Sequence, residues 1–474
     1  MKIFTKNFIL IALIYFLSSS ISHAQDPDWT LYNPGNSGLT SNSVIEIVID
    51  ESGNKWIATY TGGLVKFDGS EWTVYDTSNS GMPGNSVNSI VIDENGTKWI
   101  GTRYNGLAKF DGSSWTVYDT NNSGIPDNGI VSIAIDNDGN KWIGTDLGGL
   151  AKFDGSNWTV YDTSNSGLPH KRINSITIDG SGNKWIGTGW GGLAKLHDSV
   201  WTVYDSINSG LPDNWIFSIA IDRYDYKWIG TLLASLAKFD NTDWAVYNSN
   251  NSGLPYKSVL SIAIDGSDNK WIGTYSGGLV KFDGIDWTVY KASNSGLPDN
   301  FVYSIAIEES GNKWIGTDGG GLAKFDGSNW TVYNKTNSGL PDDRCRFITI
   351  DENGNKWIGT RGGGIAVFKE AGSPVKEEIN NSSVYFSCYP NPASEYIEIK
   401  VGADSRRQTA DGKQQEEIRI LNILGECVSN LTPTLSASRE GAIRIDISQL
   451  PVGMYFVIIN SNHNKIIKNF VIFR

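Results

Sequence analysis

The chain has 474 residues and a formal net charge of −12, long enough for more than one domain and acidic enough to repel nucleic acid and anionic membrane at long range. Its three cysteines, Cys345, Cys388 and Cys427, are too few for a disulfide-built scaffold, and no His/Cys spacing of a metal site is present, so no metal or cofactor is expected.

In chain order, Lys2 and Lys6 precede an apolar run from Phe8 to Leu17, and Ser22-His23-Ala24 fits a small-x-small cleavage site. This pattern predicts a secretory signal peptide over 1–24, its apolar core being too short to cross a bilayer. No later stretch is long and apolar enough for an integral membrane span.

From residue 26 the sequence is periodic. One tryptophan series runs Trp56, Trp99, Trp142, Trp185, Trp228, Trp271, Trp314, Trp357, and a second runs Trp29, Trp72, Trp115, Trp158, Trp201, Trp244, Trp287, Trp330, both in steps of 43 residues. A strict period of this size with several strand-like runs inside it marks a radial or stacked repeat. The unit is best seen at 302–333, where VYSIAI, KWIGT, GLAKF and WTVY read as strands a to d. Glu309-Ser-Gly-Asn forms the a–b turn and Asp326-Gly327 the c–d turn. Adjacent Trp314 and Ile315, and the Ser/Ala against Ile split of strand a, predict sheets buried on both faces, one large and one small. The fold class read here is all-β: an eight-bladed β-propeller over 26–370, in which WTLY at Trp29 supplies the fourth strand that the last repeat lacks after GGIAVF. Repeat 5 departs from the rest, with Asp225 at the turn glycine and Ala234-Ser235 in place of a Gly-Gly pair.

The string GLPDNFVYSIAIEESGNKWIGTDGGGLAKFDG at 296–327 resembles the two-component regulator propeller repeat. That resemblance implies a propeller of the kind that reads glycan fragments in the periplasmic half of hybrid histidine kinases. The sequence shows no kinase or response-regulator pattern, so binding is expected here without the signalling. A polar linker over 371–383 follows, and then the tryptophans stop. Residues 384–474 resemble the type A C-terminal sorting domain of the type IX secretion system of Bacteroidetes. The matching residues are Tyr389, Pro390, Asn391 and Pro392, then Gly425, then Leu450, Pro451, Gly453 and Tyr455, then a basic-apolar end. The resemblance implies a small Ig-like β-sandwich, the type IX machinery as partner, export to the cell surface or medium, and removal of the domain on the way. Cys388 and Cys427 either pair there or serve as small buried apolar residues.

Two rings of acids mark the turn face: Asp50, Asp93, Asp136, Asp179, Asp222, Asp265, Glu308 and Asp351 after strand a, and Asp68, Asp111, Asp154, Asp198, Asp240, Asp283 and Asp326 after strand c. Their turn positions favour backbone capping over calcium. The opposite face, made by the d–a and b–c loops, is where the repeats differ. Candidate ligand-binding residues there are Tyr60, Arg103, Tyr104, Asp146, Arg172, Trp190, Trp215, Phe217, Tyr275, Phe301, Tyr303, Asp318, Arg344, Arg346 and Arg361. Two clusters are expected, one around Trp190, Trp215 and Phe217 in blades 4 and 5. The other joins Arg344, Arg346 and Arg361 to Tyr60, Arg103 and Tyr104 across blades 8, 1 and 2. Aromatic and arginine side chains together suit sugar rings and carboxylates. The expected function is recognition of a glycan or a surface protein. A glycosidase or polysaccharide lyase on the same face and a ligand-free scaffold are the alternatives. No catalytic constellation is assigned.

Overall fold

A computed structural model describes residues 29–233, 236–255 and 258–370, together with the backbone of the strands between Phe386 and Ile472. The signal peptide expected over 1–24, the linker over 371–383 and Ala234-Ser235 lie outside the described residues. The chain divides into two compact units, Met1–Val375 and Lys376–Arg474.

In the first unit each repeat becomes one antiparallel four-stranded sheet. In blade 7 the strands are Val302–Ile307 (a), Lys313–Thr317 (b), Leu322–Phe325 (c) and Trp330–Tyr333 (d). β-branched and aromatic residues dominate these runs, which is what a pleated, packed surface selects. The turns between them need positive φ: Gly311 at +87° and Gly327 at +106°. Asp225 and Asp268 hold the a–b glycine position of blades 5 and 6 at +65° and +66°. Blade 4 corrects one sequence assignment. Asp198, at φ +52°, fills the glycine position of the c–d turn, and His197 stands where the other repeats have their aspartate.

Strand a of every blade lies beside strand a of the next, from blade 1 round to blade 8 and back to blade 1, so the ring is closed. Closure uses the N-terminal strand as the sequence predicts. Blade 8 has the order Trp29–Tyr32, Ile365–Phe368, Lys356–Thr360, Cys345–Ile350, with Trp29 opposite Phe368 and Tyr32 opposite Ile365. The connector into blade 1 folds like the other seven. Its Ser37 hydroxyl donates to Asn33 O, its Asn36 amide donates to Leu31 O, and Gly38 lies so close to Trp72 that a Cβ would sit 2.2 Å from the Trp72 Cβ. The recurring Asn-Ser-Gly-Leu-Pro is therefore a docking element. Asn and Ser fold it onto its own strand d, Gly admits the next blade's tryptophan, and Leu (Leu39, 2% exposed) is buried.

Packing between blades differs from the large-face-on-small-face expectation. The Trp of strand b and the Tyr of strand d in one blade meet the Phe of strand c and the Trp of strand d in the next. Trp56 and Tyr75 stack at 5.9 Å, and Tyr75 lies 5.2 Å from Phe110 and 5.4 Å from Trp115. The large-to-small gradient runs along the radius: sheets diverge outward, so aromatics from both faces fill the outer gap, and Ser, Ala and Gly stand near the axis. Only strands b and c are buried almost throughout; strand a and strand d are half-exposed. Strand a also carries a bulge that the sequence reading did not contain. Pairing skips its second residue in all eight blades, as between Val302 and Ser304.

On the turn face the first acidic ring is structural. Every carboxylate of that ring accepts the indole N–H of its own blade's tryptophan at 2.8–3.0 Å. Each also receives a lysine from the following blade at 2.5–3.7 Å, and that lysine lies 4.5–5.0 Å over the same indole. One Lys–Asp–Trp unit thus ties each blade to its neighbour, blade 8 to blade 1 included through Lys55 and Asp351. A cleft lined by Asp93, Glu94, Asp136 and Asp138 opens on this face.

In the second unit the strands pair antiparallel in two sheets. One has the order Phe386–Tyr389, Tyr396–Val401, Ala442–Asp446; the other has Cys427–Leu431, Glu417–Asn422, Gly453–Ser461, Asn464–Ile472. Tyr389, Gly453 and Tyr455 fall on these strands, while Pro390, Asn391, Pro392, Gly425, Leu450 and Pro451 lie outside the described residues. The side chains of Cys388 and Cys427 are likewise outside them. Cys345, by contrast, is a buried free thiol in strand a of blade 8, and burial pushes its thiol up.

Candidate functional site

The loop face is built on one backbone hydrogen bond repeated eight times. The residue after strand b donates its N–H to the carbonyl of the residue before strand a of the same blade, at 2.8–3.2 Å. The donors are Tyr60, Arg103, Asp146, Gly189, Leu232, Tyr275, Asp318 and Arg361; the acceptors are Ser43, Ser86, Gly129, Arg172, Trp215, Ser258, Phe301 and Arg344. Underneath, the strand-b threonine folds the b–c loop: Thr317 Oγ1 donates to Gly321 O at 2.7 Å, and Gly320 N donates back to Thr317 Oγ1 at 3.2 Å. The framework at these positions is therefore fixed while the side chains on it vary.

All fifteen candidates of the sequence reading sit in this framework. Arg172, Trp215, Phe301 and Arg344 precede strand a. Tyr60, Arg103, Asp146, Tyr275, Asp318 and Arg361 follow strand b, with Tyr104 and Trp190 one residue further on. Phe217, Tyr303 and Arg346 are bulge residues of strand a. The bulge was the missing signal: it turns one side chain per blade, on the strand nearest the axis, out of the pleat.

Contacts run from the b–c loop of one blade to the d–a loop of the next. Trp190 and Trp215 meet edge-to-face at 4.2 Å, Phe217 stacks 6.5 Å from Trp215, and the Arg172 guanidinium lies 5.6 Å over Trp215 while its Nε approaches Asp146 at 3.4 Å. Trp190 is 58% exposed, so this aromatic surface is open to a ligand. Tyr275, Phe301 and Tyr303 form a second aromatic wall, with successive ring distances of 4.3 and 4.5 Å. The arginines expected in one cluster have different partners. Arg103 donates to Tyr60 OH at 3.1 Å and lies 5.4 Å from the Tyr104 ring. Arg344 is held in a fork by Asp342 at 3.1 and 2.9 Å. Arg346 lies 5.7 Å over Tyr303 of blade 7, and the backbone of Asp318 pairs with that of Arg344 in an isolated antiparallel β-bridge. Neighbouring loops, 43 residues apart in sequence, decide these partners, and residue type alone does not show them.

One further residue of strand a was missed. Glu46 stands where six repeats have serine, and its Oε2 accepts the N–H of Ile90 in the next blade at 3.0 Å. Burial pushes this carboxyl up to about 7, against the lowering effect of that hydrogen bond. A raised carboxyl is protonated in the folded state before it is in the unfolded one. Its contribution is therefore present below the ordinary glutamate range and is lost as pH rises towards 7. Glu46→Gln is expected to stabilise the propeller by about 2 kcal/mol at pH 8 and to change little at pH 4, in thermal melts at the two pH values. Equal melting shifts at both would refute it.

The fold and this face define a class: an eight-bladed β-propeller that presents its variable side chains on one loop face. Residues 387–473 match the family model of the Secretion system C-terminal sorting domain. The chain thus carries a type IX sorting domain, which makes the secretion machinery its partner and directs it to the cell surface. Among solved structures, the similar ones include PorZ of Porphyromonas gingivalis, described as an essential bacterial surface component of the type-IX secretion system. It is 17% identical, with a TM-score of 0.48 over 91% of this chain and 66% of its own, so this chain spans just under two thirds of that structure. The extracellular domain described as that of a hybrid two component system, BT3049 of B. thetaiotaomicron, is 16% identical over 94% of this chain and 99% of its own, with a TM-score of 0.37. A streptogramin B lyase is 14% identical over 72% of this chain and 96% of its own, with a TM-score of 0.45. No curated protein matches the chain.

Proposed function

We propose that the chain is an exported, non-catalytic binding propeller whose loop face recognises saccharide. With it we place a signal peptide at 1–24, the propeller at 26–370, a linker at 371–383 and a sorting domain at 384–474 folded as an Ig-like sandwich. The observation that carries the reading is the hydrogen bond common to all eight blades. It pins a repeated backbone, and on that backbone the side chains change to Trp, Tyr, Phe and Arg, the types most used in recognition. The Trp190–Trp215 pair gives a sugar ring an open apolar surface, and Arg172 and Asp146 beside it supply a donor and an acceptor for hydroxyls. A protein partner would use the same face.

The test is a glycan array followed by calorimetry on the chain, beside a Trp190→Ala, Trp215→Ala double variant. Loss of the stacking surface is expected to weaken saccharide binding by about 30-fold or more. Bond cleavage during the titration would instead make the face an active site. Absence of binding to every saccharide would remove the reading.

A further inference from the structure

The sector formed by blades 6 to 8 holds two charged side chains with buried atoms that lack partners. Of the eight bulge residues, Arg346 alone is charged. Its Nε is buried and makes no hydrogen bond. On the adjacent blade, Asp318 Oδ1 is buried and equally without a hydrogen-bond partner. A buried donor or acceptor left unmade costs free energy, and native structures leave few of them. Here one of each stands on neighbouring blades of one sector. The Arg346 guanidinium lies 5.7 Å over the Tyr303 ring, and the backbone of Arg344, two residues before it, pairs with Asp318 in an isolated β-bridge and accepts the Arg361 N–H at 3.0 Å.

The third arginine, Arg344, is satisfied by Asp342 and pairs with no ligand in this arrangement. Arg346 and Arg361 have no carboxylate within ion-pair distance among the described residues, and Arg361 is exposed beside the loop hydrogen bond that fixes it to Arg344 O at 3.0 Å. A guanidinium is planar and weakly hydrated, and its fork matches a carboxylate. The chain as a whole, at −12, attracts no polyanion by its net charge, so an acid bound here reports local arginines.

Resting on the saccharide reading above, we propose that blades 6 to 8 form a subsite for the carboxylate of a uronic-acid sugar. The carboxylate accepts from Arg346 Nε and from Arg361, a ring hydroxyl donates to Asp318 Oδ1, and the sugar's apolar side lies along Tyr275, Phe301 and Tyr303.

The experiment titrates the full chain with oligomers of galacturonate, glucuronate and mannuronate, each beside its methyl ester, which keeps the sugar and removes the charge. At least one acid is expected to bind about 10-fold or more tighter than its ester, and Arg346→Gln and Arg361→Gln are each expected to erase that difference. Arg361 is exposed, so its variant remains informative if Arg346→Gln fails to fold. Equal binding of acid and ester, an unchanged ratio in the arginine variants, or binding confined to neutral glycans would overturn the subsite and leave the saccharide reading standing. Binding of no saccharide at all would overturn both.

Discussion

Removing Trp29–Tyr32 is expected to abolish the cooperative unfolding of the propeller. This short strand is the outer strand of blade 8, and four residue pairs hold it to Ile365–Phe368. Its loss exposes that strand's edge and the rings that Trp29 covers, Phe368 at 4.8 Å and Tyr333 at 5.4 Å. Trp29 is 4% exposed, and Gly339 of the preceding connector is shaped around it, with a Cβ position 2.4 Å from the Trp29 Cβ. Trp29→Ala alone should cost about 3–5 kcal/mol through the cavity it leaves. Deletion of the whole strand should remove most of the 5–15 kcal/mol that a typical domain has, and leave an unpaired edge prone to aggregation. All 18 tryptophans lie between Trp29 and Trp357, so tryptophan fluorescence reads the propeller without the C-terminal unit. A truncated chain that stays soluble and melts within a few degrees of the intact one would show that the ring does not depend on this strand.

Asp179→Ala should cost about 3–5 kcal/mol, because it strands a buried cation. Lys227 and Asp179 side chains are both 0% exposed and lie 3.4 Å apart, and Trp185 donates its indole N–H to the same carboxylate at 2.9 Å. Asp225, 2.8 Å from the lysine on the partly exposed turn, gives some compensation. The pH dependence has a definite sign. Burial works against the charged form of Asp179, but the hydrogen bonds of Trp185 and Asn183 and the Lys227 charge outweigh it and hold the carboxyl below its usual range. The same balance holds at Asp50, Asp93, Asp136, Asp222, Asp265 and Asp351, and Glu308 lies at about 2. Groups depressed in this way stabilise the fold above the ordinary carboxylate range and cease to do so as pH falls through their folded values. The contribution of this ring should therefore be constant above about pH 4 and be lost steeply in acid, and Asp179→Ala should shift the melting point far more at pH 6 than at pH 2. A variant equally destabilised at both would refute the ion-pair account in favour of lost packing.

The two signs differ for a physical reason. Asp179 is buried with a cation and four N–H donors, from Ser181, Trp185 and the backbone and side chain of Asn183, whereas Glu46 is buried with one backbone N–H, so the first is held charged and the second is pushed towards its neutral form. Both sit at the same kind of place, an interface between neighbouring blades.

Periodicity alone determined the architecture. The 43-residue step of Trp56 and its counterparts, with Trp29 left over at one end and strand d missing at the other, is enough to close eight blades, because each repeat must bury its faces on a neighbour. The sorting domain was legible for a related reason, since its short turn and strand motifs keep fixed residue types in a fixed order. The variable face was legible as a set of positions, because a copied framework exposes its exceptions. What the sequence did not carry was who meets whom. Arg346 joins Tyr303 instead of Arg103, Arg344 is taken by Asp342, and Lys98 reaches back to Asp50, all through contacts that run around a ring. The bulge that aims Phe217, Tyr303 and Arg346 is equally invisible, because a pairing skip changes register without changing residue type. Repeats fix their own strands by local pattern, but the partner of a side chain at a blade boundary is set by the neighbouring sheet, and only the closed ring decides it.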